Sequence, residues 1–402
     1  MPEKIPFFFG NNDFLSFLLI ILFLYFYPRI YLWQVVSKLE TELVRLEEYS
    51  KEAQKEVARK MKSAHKGERE NMRLIRKKVS EFMDFFVVSP VSTDPYGILK
   101  KIEHVIKISE NRIERFVERV TGTTSRDEKK NIKYGLIGAM GVTMIYKVVR
   151  HYVEMIKKTN NLQLAMVLQM ILPEILKAAK ANVKATKAFL EGIPIGDGVG
   201  PLVAAKLKSK AGREIERDVV VSTERIGRKR VFVMKAKGKG AEISQTRMWH
   251  AIEKLIKKER VRHIISIDAS VKLEGEKTGS VAEGVGFVMS PQGVDRAFVE
   301  ELATKQRIEL DGVVIKMSDY EASIPMKKEI YDAVPLAVEK VRELVELSPH
   351  DKILIVGVGN TCGIGNSAKE VENIEKVLRP VWRKLKREEE EEKRRKWPLF
   401  PA

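Results

Sequence analysis

The feature that most limits how this chain can fold is an apolar stretch near its N-terminus. Residues Phe14 to Tyr27 are apolar or aromatic except for Ser16, and the apolar character resumes from Ile30 to Val36. A helix needs about 20 such residues to cross the roughly 30 Å hydrocarbon layer of a membrane, so this run must continue past Arg29. The pattern predicts one transmembrane helix over residues 13–36, in which the Arg29 side chain reaches back to the interface.

The charges that flank this segment predict its orientation. Lys and Arg are dense after it, whereas Glu3 offsets Lys4 before it. By the positive-inside rule, we expect a single-pass membrane protein with its N-terminus outside and the bulk of the chain in the cytoplasm. A cleaved signal peptide is the main alternative, but no basic cluster precedes the apolar run and no small-x-small cleavage site follows it. A buried core helix is the other alternative.

Charge and cysteine content narrow the choice of partners. The formal net charge is +18 over 402 residues, which favours contact with anionic surfaces. Membrane lipid is the expected partner, because tethering already holds a basic chain close to anionic headgroups. Nucleic acid is a weaker expectation, since no RNP-type motif or zinc finger is present. The single cysteine, Cys362, excludes an internal disulfide and any multi-cysteine zinc site.

Residues 37–191 are predicted to be all-α. Apolar residues step by three and four from Val36 to Val57, which indicates an amphipathic, partly coiled-coil-like helix leading out of the membrane. After a predicted break at His65–Gly67, similar patterns indicate helices over 72–86, 98–120, 127–158 and 162–191. Formation of a homo-oligomer through this region is left open. Whether residues 134–146 also enter the membrane is open too, because so short an apolar run is more often buried core.

From residue 192 to residue 402 the pattern changes to short β-rich runs that alternate with helical ones. This alternation predicts an α/β three-layer sandwich with a mainly parallel sheet. The first two predicted strands form a hairpin around Gly227. The predicted strands are Asp218–Thr223, Val231–Lys235, His263–Ile267, Val313–Met317 and Ile353–Val358, and the predicted helices are Gln245–Glu259, Pro325–Glu346 and Asn366–Lys396.

Two glycine-rich turns are the candidate ligand-binding loops. One contains Gly196, Gly198 and Gly200 ahead of a helix, and the other contains Gly357, Gly359, Asn360, Gly363 and Gly365 after a buried strand. Glycines at a helix start expose backbone N–H groups that can bind an anion. The alternative is a pair of tight turns that need positive φ. A dinucleotide site is not indicated, because no strand with an acidic residue follows the second turn, and the cofactor remains unknown.

Two aspartates are candidate catalytic residues. Asp197 lies in the first glycine-rich turn, and Asp268 closes the predicted strand that ends at Ile267. If they face one another in a dry cleft, they share one proton, so that one activates water while the other polarises a carbonyl group. The alternatives are structural: Asp197 caps the following helix, and Asp268 accepts bonds from loop N–H groups.

The sequence motifs around these aspartates resemble motifs of two protease families. G-D-G-V-G-P-L-V-A-A-K-L at residues 196–207 resembles the D-G-x-G-P motif of hydrogenase maturation endopeptidases and the D-A-L-G-P motif of the spore germination protease. Ile267-Asp268-Ala269 resembles the I-D-A strand end of both families. The families' G-x-G-N turn is matched at Gly357–Asn360, but at the C-terminal end, which implies circular permutation. The maturation enzymes add a histidine ligand, and His350 lacks that context, so no metal site is expected.

As a whole, the chain is similar to an archaeal family of membrane proteins of unknown function. The primary functional expectation is a binding or scaffold module for an unknown protein or peptide, built on a protease-like α/β domain. The alternative is a membrane-tethered peptidase-like hydrolase that uses the aspartate pair. A weaker alternative is a protein that associates with anionic lipid or nucleic acid through charge alone.

Overall fold

A computed structural model describes residues 11–64, 71–91, 97–122, 125–289 and 293–396. The chain divides into two compact units, which are considered separately below. The first comprises Met1–Lys51 and Gly141–Lys180, and the second comprises Glu52–Met140 and Ala181–Ala402.

The N-terminal half is helical, as predicted. Its helices are α1 (Asn11–Ala64), α2 (Met72–Phe82), α3 (Ile98–Thr121), α4 (Arg126–Thr159) and α5 (Leu162–Glu191). The last two match the predicted bounds to within a residue, because their apolar periodicity is continuous. Phe86, which was expected on α2, lies beyond its end and is largely exposed. The predicted break at His65–Gly67 lies outside the described residues.

The first unit has its own apolar core. Leu39 and Leu46 of α1 are fully buried against side chains of α4 and α5, among them Val153 and Leu168. A hydrogen bond of 2.9 Å joins the hydroxyl groups of Ser50 and Thr143 beneath this core. The heptad-like stripe predicted on α1 is therefore used for packing within the chain.

Among the residues that the structure describes, three helices are long and apolar enough to cross a membrane, by length and composition. They are Ser16–Ala64, Arg126–Thr159 and Leu162–Glu191. The most apolar 18-residue segment of the first helix is entirely unburied. In the second and third helices, 56% and 22% of the corresponding segment is buried. The predicted N-terminal span is therefore one of three candidates, and a single span is not confirmed. Leu162–Glu191 was not recognised as a candidate from the sequence.

A seven-stranded mixed sheet forms the centre of the C-terminal region, in the order β1-β2-β3-β7-β4-β6-β5. The central strands β3, β7, β4 and β6 are parallel, while β2 is antiparallel to β3 and β5 is antiparallel to β6. The strands are β1 (Arg213–Glu216), β2 (Val219–Ile226), β3 (Lys229–Ala236), β4 (His263–Val271), β5 (Val281–Val285), β6 (Glu309–Met317) and β7 (Lys352–Gly357).

Helices cover both faces of this sheet and enclose two apolar cores. The helices α6, α11 and α12 pack on one face through residues such as Leu202, Val341 and Leu378. On the other face, α7 and α8 pack through residues such as Leu255 and Val299. The α/β architecture with a mainly parallel sheet is thus confirmed. The helices are α6 (Val199–Leu207), α7 (Met248–Glu259), α8 (Val294–Gln306), α9 (Asp319–Ser323), α10 (Lys328–Asp332), α11 (Val334–Leu347) and α12 (Ile374–Lys396).

Several predicted bounds in this region are wrong. The strand expected to end at Ile267 continues to Val271, so Asp268 lies inside β4 rather than at its end. The helix predicted over 325–346 is interrupted, because Pro335 lacks a backbone N–H and starts a new helix, α11. The helix predicted from Asn366 begins only at Ile374. Two edge strands, β1 and β5, were not predicted, since both are short and largely exposed.

Candidate functional site

The candidate site lies where the parallel strands end, an edge that we call the carboxyl edge. The chain leaves β3 toward α7 on one face and leaves the adjacent strand β7 toward α12 on the other. In open α/β sheets, a ligand crevice forms where neighbouring connections part to opposite faces in this way. The connections are residues 237–247 after β3 and residues 358–373 after β7.

The two connections are joined by hydrogen bonds. The backbone N–H of Thr361 donates to Glu242 O at 3.0 Å, and that of Gly363 donates to Lys239 O at 2.9 Å. The Asn366 amide group both accepts from Gly238 N and donates to Gly238 O. These bonds hold the two connections against each other at the carboxyl edge.

The backbone donors of the second glycine-rich turn are already committed. Seven N–H groups, those of residues 358, 360–364 and 366, donate to acceptors within the protein. The nearest following helix, α12, begins eight residues after Asn366. An anion cradle of the kind found at a helix start is therefore not formed here. Ligand binding at these glycines remains a prediction, and side chains would have to provide it.

Several glycines serve the close approach of α6 to the strand ends. An added Cβ at Gly200 would overlap the carbonyl oxygens of Val358 and Ile267, and one at Gly357 would overlap Ala204. Gly359 has a φ of +123° and faces the carbonyl of Asp197 in the same way. The candidate residues Gly196, Gly198, Gly363 and Gly365 also have close neighbours that a side chain would displace.

Asp197 does not cap α6, which was its simplest structural interpretation. It lies in a 3₁₀ turn, Gly196–Gly198, and the N-cap of α6 is Gly198. Its Oδ2 atom instead accepts the backbone N–H of Asn360 at 2.9 Å. Burial raises the pKa of this carboxyl to about 6, and the bond from Asn360 opposes that rise only in part.

Asn360 places an unused donor beside this carboxyl. The residue is 1% exposed, and its Oδ1 accepts the backbone N–H of Cys362 at 2.9 Å. Within the described ranges, its Nδ2 group is buried and has no hydrogen-bond partner. Leaving a buried donor unsatisfied costs about 1–3 kcal/mol. The Asn360 amide group therefore indicates a ligand that accepts its hydrogen bond. The structure thus brings Asp197 and Asn360 together.

Asp268 is fully buried, and its Oδ1 accepts the backbone N–H of Ala269 at 2.7 Å. Side chains alternate along β4: Ile267 belongs to the core under α6, whereas Ile264 belongs to the core under α7 and α8. The alternation places Asp268 with Ile264, on the face opposite to α6. The turn that carries Asp197 and the strand that carries Asp268 approach each other at the carboxyl edge, since Gly200 abuts the carbonyl oxygen of Ile267.

Another buried carboxyl group near this edge, that of Asp295, was not singled out from the sequence. Asp295, at the start of α8, accepts the backbone N–H groups of Thr246 at 2.8 Å and Trp249 at 3.3 Å. Burial raises its pKa to about 7. It lines a cavity of about 70 Å³ that Val358 also borders. An aspartate in the first turn of a helix is so common that its sequence carried no signal.

Neither a metal site nor a reactive thiol is assembled at this edge. Among the residues that the structure describes, no group of three or more His, Cys, Asp or Glu side chains is placed to hold a metal ion. His350 precedes β7 at the other end of the strand and pairs with Glu309, the first residue of β6. Cys362 is buried, and burial raises the pKa of its thiol far above the ordinary value.

Together these features define an α/β domain with buried carboxyl groups at its carboxyl edge, joined to a helical region that contains candidate membrane spans. The chain belongs to the DUF1512 family. The model of its "Protein of unknown function (DUF1512) N-terminal domain" matches residues 13–192, and that of its "Domain of unknown function (DUF1512) C-terminal" matches residues 195–365. No curated protein matches the chain. No solved structure matches it either.

Proposed function

We propose that this protein is a membrane-anchored binding module whose carboxyl edge recognises a peptide-like amide group. The observation that carries the proposal is the pairing of Asp197, a half-buried acceptor, with Asn360, whose Nδ2 group is a buried donor without a partner in the described chain. A peptide group presents one N–H donor and one C=O acceptor, which complement a carboxylate and an amide group respectively.

The membrane part of the proposal rests on the N-terminal helix. Side chains from Phe17 to Tyr27 are exposed and apolar. The Lys and Arg residues that follow this segment favour a cytoplasmic location for the rest of the chain. A basic chain held at the inner surface would also contact anionic lipid. We propose a single span, with α4 and α5 in water.

Binding is favoured over hydrolysis because the carboxyl groups of Asp197 and Asp268 accept the backbone N–H groups of Asn360 and Ala269, bonds that suit a structural role. Hydrolysis by a shared proton requires the carboxyl groups to approach each other over the end of β7. The hydrolase is kept as a second candidate for one reason: the pKa of Asp197, near 6, suits general acid–base chemistry at neutral pH. In that case the resemblance of residues 196–207 to the protease motifs would reflect a permuted common fold.

One experiment separates the two candidates. The full chain, purified in detergent, is incubated with a peptide library, and retained peptides and new termini are identified by mass spectrometry. Binding predicts that Asp197→Asn loses the retained peptides, while Asp351→Asn, a matched surface change at the start of β7, keeps them. Equal retention by wild type and Asp197→Asn would refute peptide recognition at this site. New termini that disappear in Asp268→Asn would establish the hydrolase instead.

A further inference from the structure

A larger cavity of about 330 Å³ lies between α3, the first turns of α4 and the turn that joins β1 to β2. Its lining includes neither Asp197 nor Asn360. Five basic side chains border it, those of Arg126, Lys129, Lys130, Lys133 and Arg217. We call it the basic cavity.

Four of these cations form a stripe on one face of α4. They follow the spacing i, i+3, i+4, i+7, which places side chains one above another along a helix. Such a stripe is ordinarily a solvated surface. Here it turns inward, because the side chain of Lys130 is only 10% exposed and that of Lys133 only 2% exposed. Burying an ammonium group is costly unless an anion accompanies it.

The acidic residues that line the cavity, Glu114, Glu118 and Asp218, are fewer than its five cations. Asp218 accepts from Arg126 at 2.6 Å and from Lys130 at 2.7 Å, and the guanidinium groups of Arg217 and Arg247 also lie within 3.6 Å of it. One carboxylate is thus shared by four cations. Burial alone would raise the pKa of Asp218, yet Lys130, Arg126 and Arg247 hold it below its ordinary value.

The other two acids are also shared or distant. Glu114 accepts from both Lys133 at 3.0 Å and Arg217 at 2.7 Å. Lys129 has Glu118 as its ion-pair partner in the cavity, at 3.6 Å, and the Glu118 side chain is 58% exposed. Behind the lining, Glu242 pairs with Lys130 at 3.4 Å and Glu214 pairs with Arg126 at 3.8 Å. The lining itself carries five basic and three acidic side chains, and a concave surface concentrates this local excess of positive charge.

We propose that the basic cavity binds a small anion that carries a terminal phosphate group. Its volume is near the lower end of the roughly 300–1,000 Å³ range of small-molecule sites, and it exceeds what a single inorganic anion needs. Arg126 and Arg217 stand half-exposed at the cavity, where their planar donor groups suit phosphate oxygens. Lys130 and Lys133 supply fixed charge at its floor.

The test uses the full chain in detergent and two probes with the same chemistry. Pyrophosphate represents a soluble ligand, and phosphatidate in mixed micelles represents a lipid headgroup. Binding is measured by isothermal titration calorimetry at low and high salt. The double variant Lys129→Gln/Arg217→Gln is compared with Lys305→Gln, which removes one exposed charge from α8. We expect wild type and Lys305→Gln to bind alike, and the double variant to bind at least about tenfold more weakly.

The outcomes are distinct. Tighter binding of pyrophosphate identifies a soluble ligand, and tighter binding of phosphatidate identifies a headgroup. If neither probe binds the wild type, or if the double variant binds as tightly as Lys305→Gln, the proposal is overturned. If the double variant melts at a lower temperature than the wild type, the affinity of the single variant Lys129→Gln is measured instead. This substitution should leave the fold intact, because the ion pair of Lys129 in the cavity is long and its partner Glu118 is exposed. An unchanged affinity in that variant would then refute the proposal.

Discussion

The backbone N–H of Asn360 donates to Oδ2 of Asp197 across 2.9 Å, although 163 positions separate the two residues in the chain. This bond joins the turn before α6 to the turn after β7. It holds the Asp197 carboxyl in a half-buried position, where loss of water favours the protonated form. The bond therefore fixes the geometry of the carboxyl edge, and it opposes in part the rise in pKa that burial causes.

The first prediction concerns the response of Asp197 to pH. Because burial raises the folded-state pKa of Asp197 to about 6, the folded state binds this proton more tightly than the unfolded state. The penalty for ionising the buried group is absent below about pH 4 and complete above about pH 6. Asp197→Asn should therefore gain about 1–3 kcal/mol relative to wild type as the pH rises through this range. Thermal melting of both proteins at several pH values measures the gain, and a constant difference would contradict it.

The second prediction concerns the crossing of α6 over the strand ends. An added methyl group in Gly200→Ala would overlap two backbone carbonyl groups, those of Val358 and Ile267, neither of which can rotate away. We expect a loss of about 1–3 kcal/mol or more in the free energy of unfolding. Gly284→Ala on β5 is the matched control, since a Cβ there meets open space. Equal melting temperatures for the two variants would show that α6 does not approach the sheet so closely.

The third prediction concerns a buried lysine. Lys208 is fully buried, and its Nζ atom has no hydrogen-bond partner within the described part of the chain. Burial lowers its pKa to about 8, so the folded state is penalised for carrying the charge. That penalty is complete below about pH 8 and fades as the pH rises toward about 10.5. Lys208→Met should thus be more stable than wild type at pH 7, by about 1–3 kcal/mol, and this advantage should shrink at pH 9.5. An advantage that does not change with pH would exclude this cause.

The fourth prediction concerns the candidate spans. Cys362 is buried, so a cysteine introduced elsewhere is the thiol that an impermeant maleimide should label in the folded chain. In inside-out vesicles we expect Met170→Cys to react, because Met170 of α5 is 73% exposed and a single-span protein keeps α5 in water. Phe23→Cys should be protected by lipid. Protection of Met170→Cys would instead place α5 in the bilayer and end the single-span proposal.

Local patterns in the sequence were enough to predict the long helices and the buried strands. The bounds of α3, α4 and α5 follow from apolar periodicity alone, because each helical turn places its apolar residues on the same face. The strands β4, β6 and β7 are continuous apolar runs, and that composition is typical of strands buried on both faces. Neither signal exists for β1 and β5, whose exposed side chains are mixed in character.

What the tertiary structure alone decided is which groups meet and which way they face. The sequence singled out Asp197 and Asp268, but the register of β4 sends Asp268 to the face opposite α6, and period-two alternation leaves no other choice once Ile267 is buried. The stripe on α4 has the sequence of an ordinary solvated face, yet in the fold Lys133 is buried and pairs with Glu114 of α3. Such relations depend on contacts between segments far apart in the chain, and no local pattern encodes them.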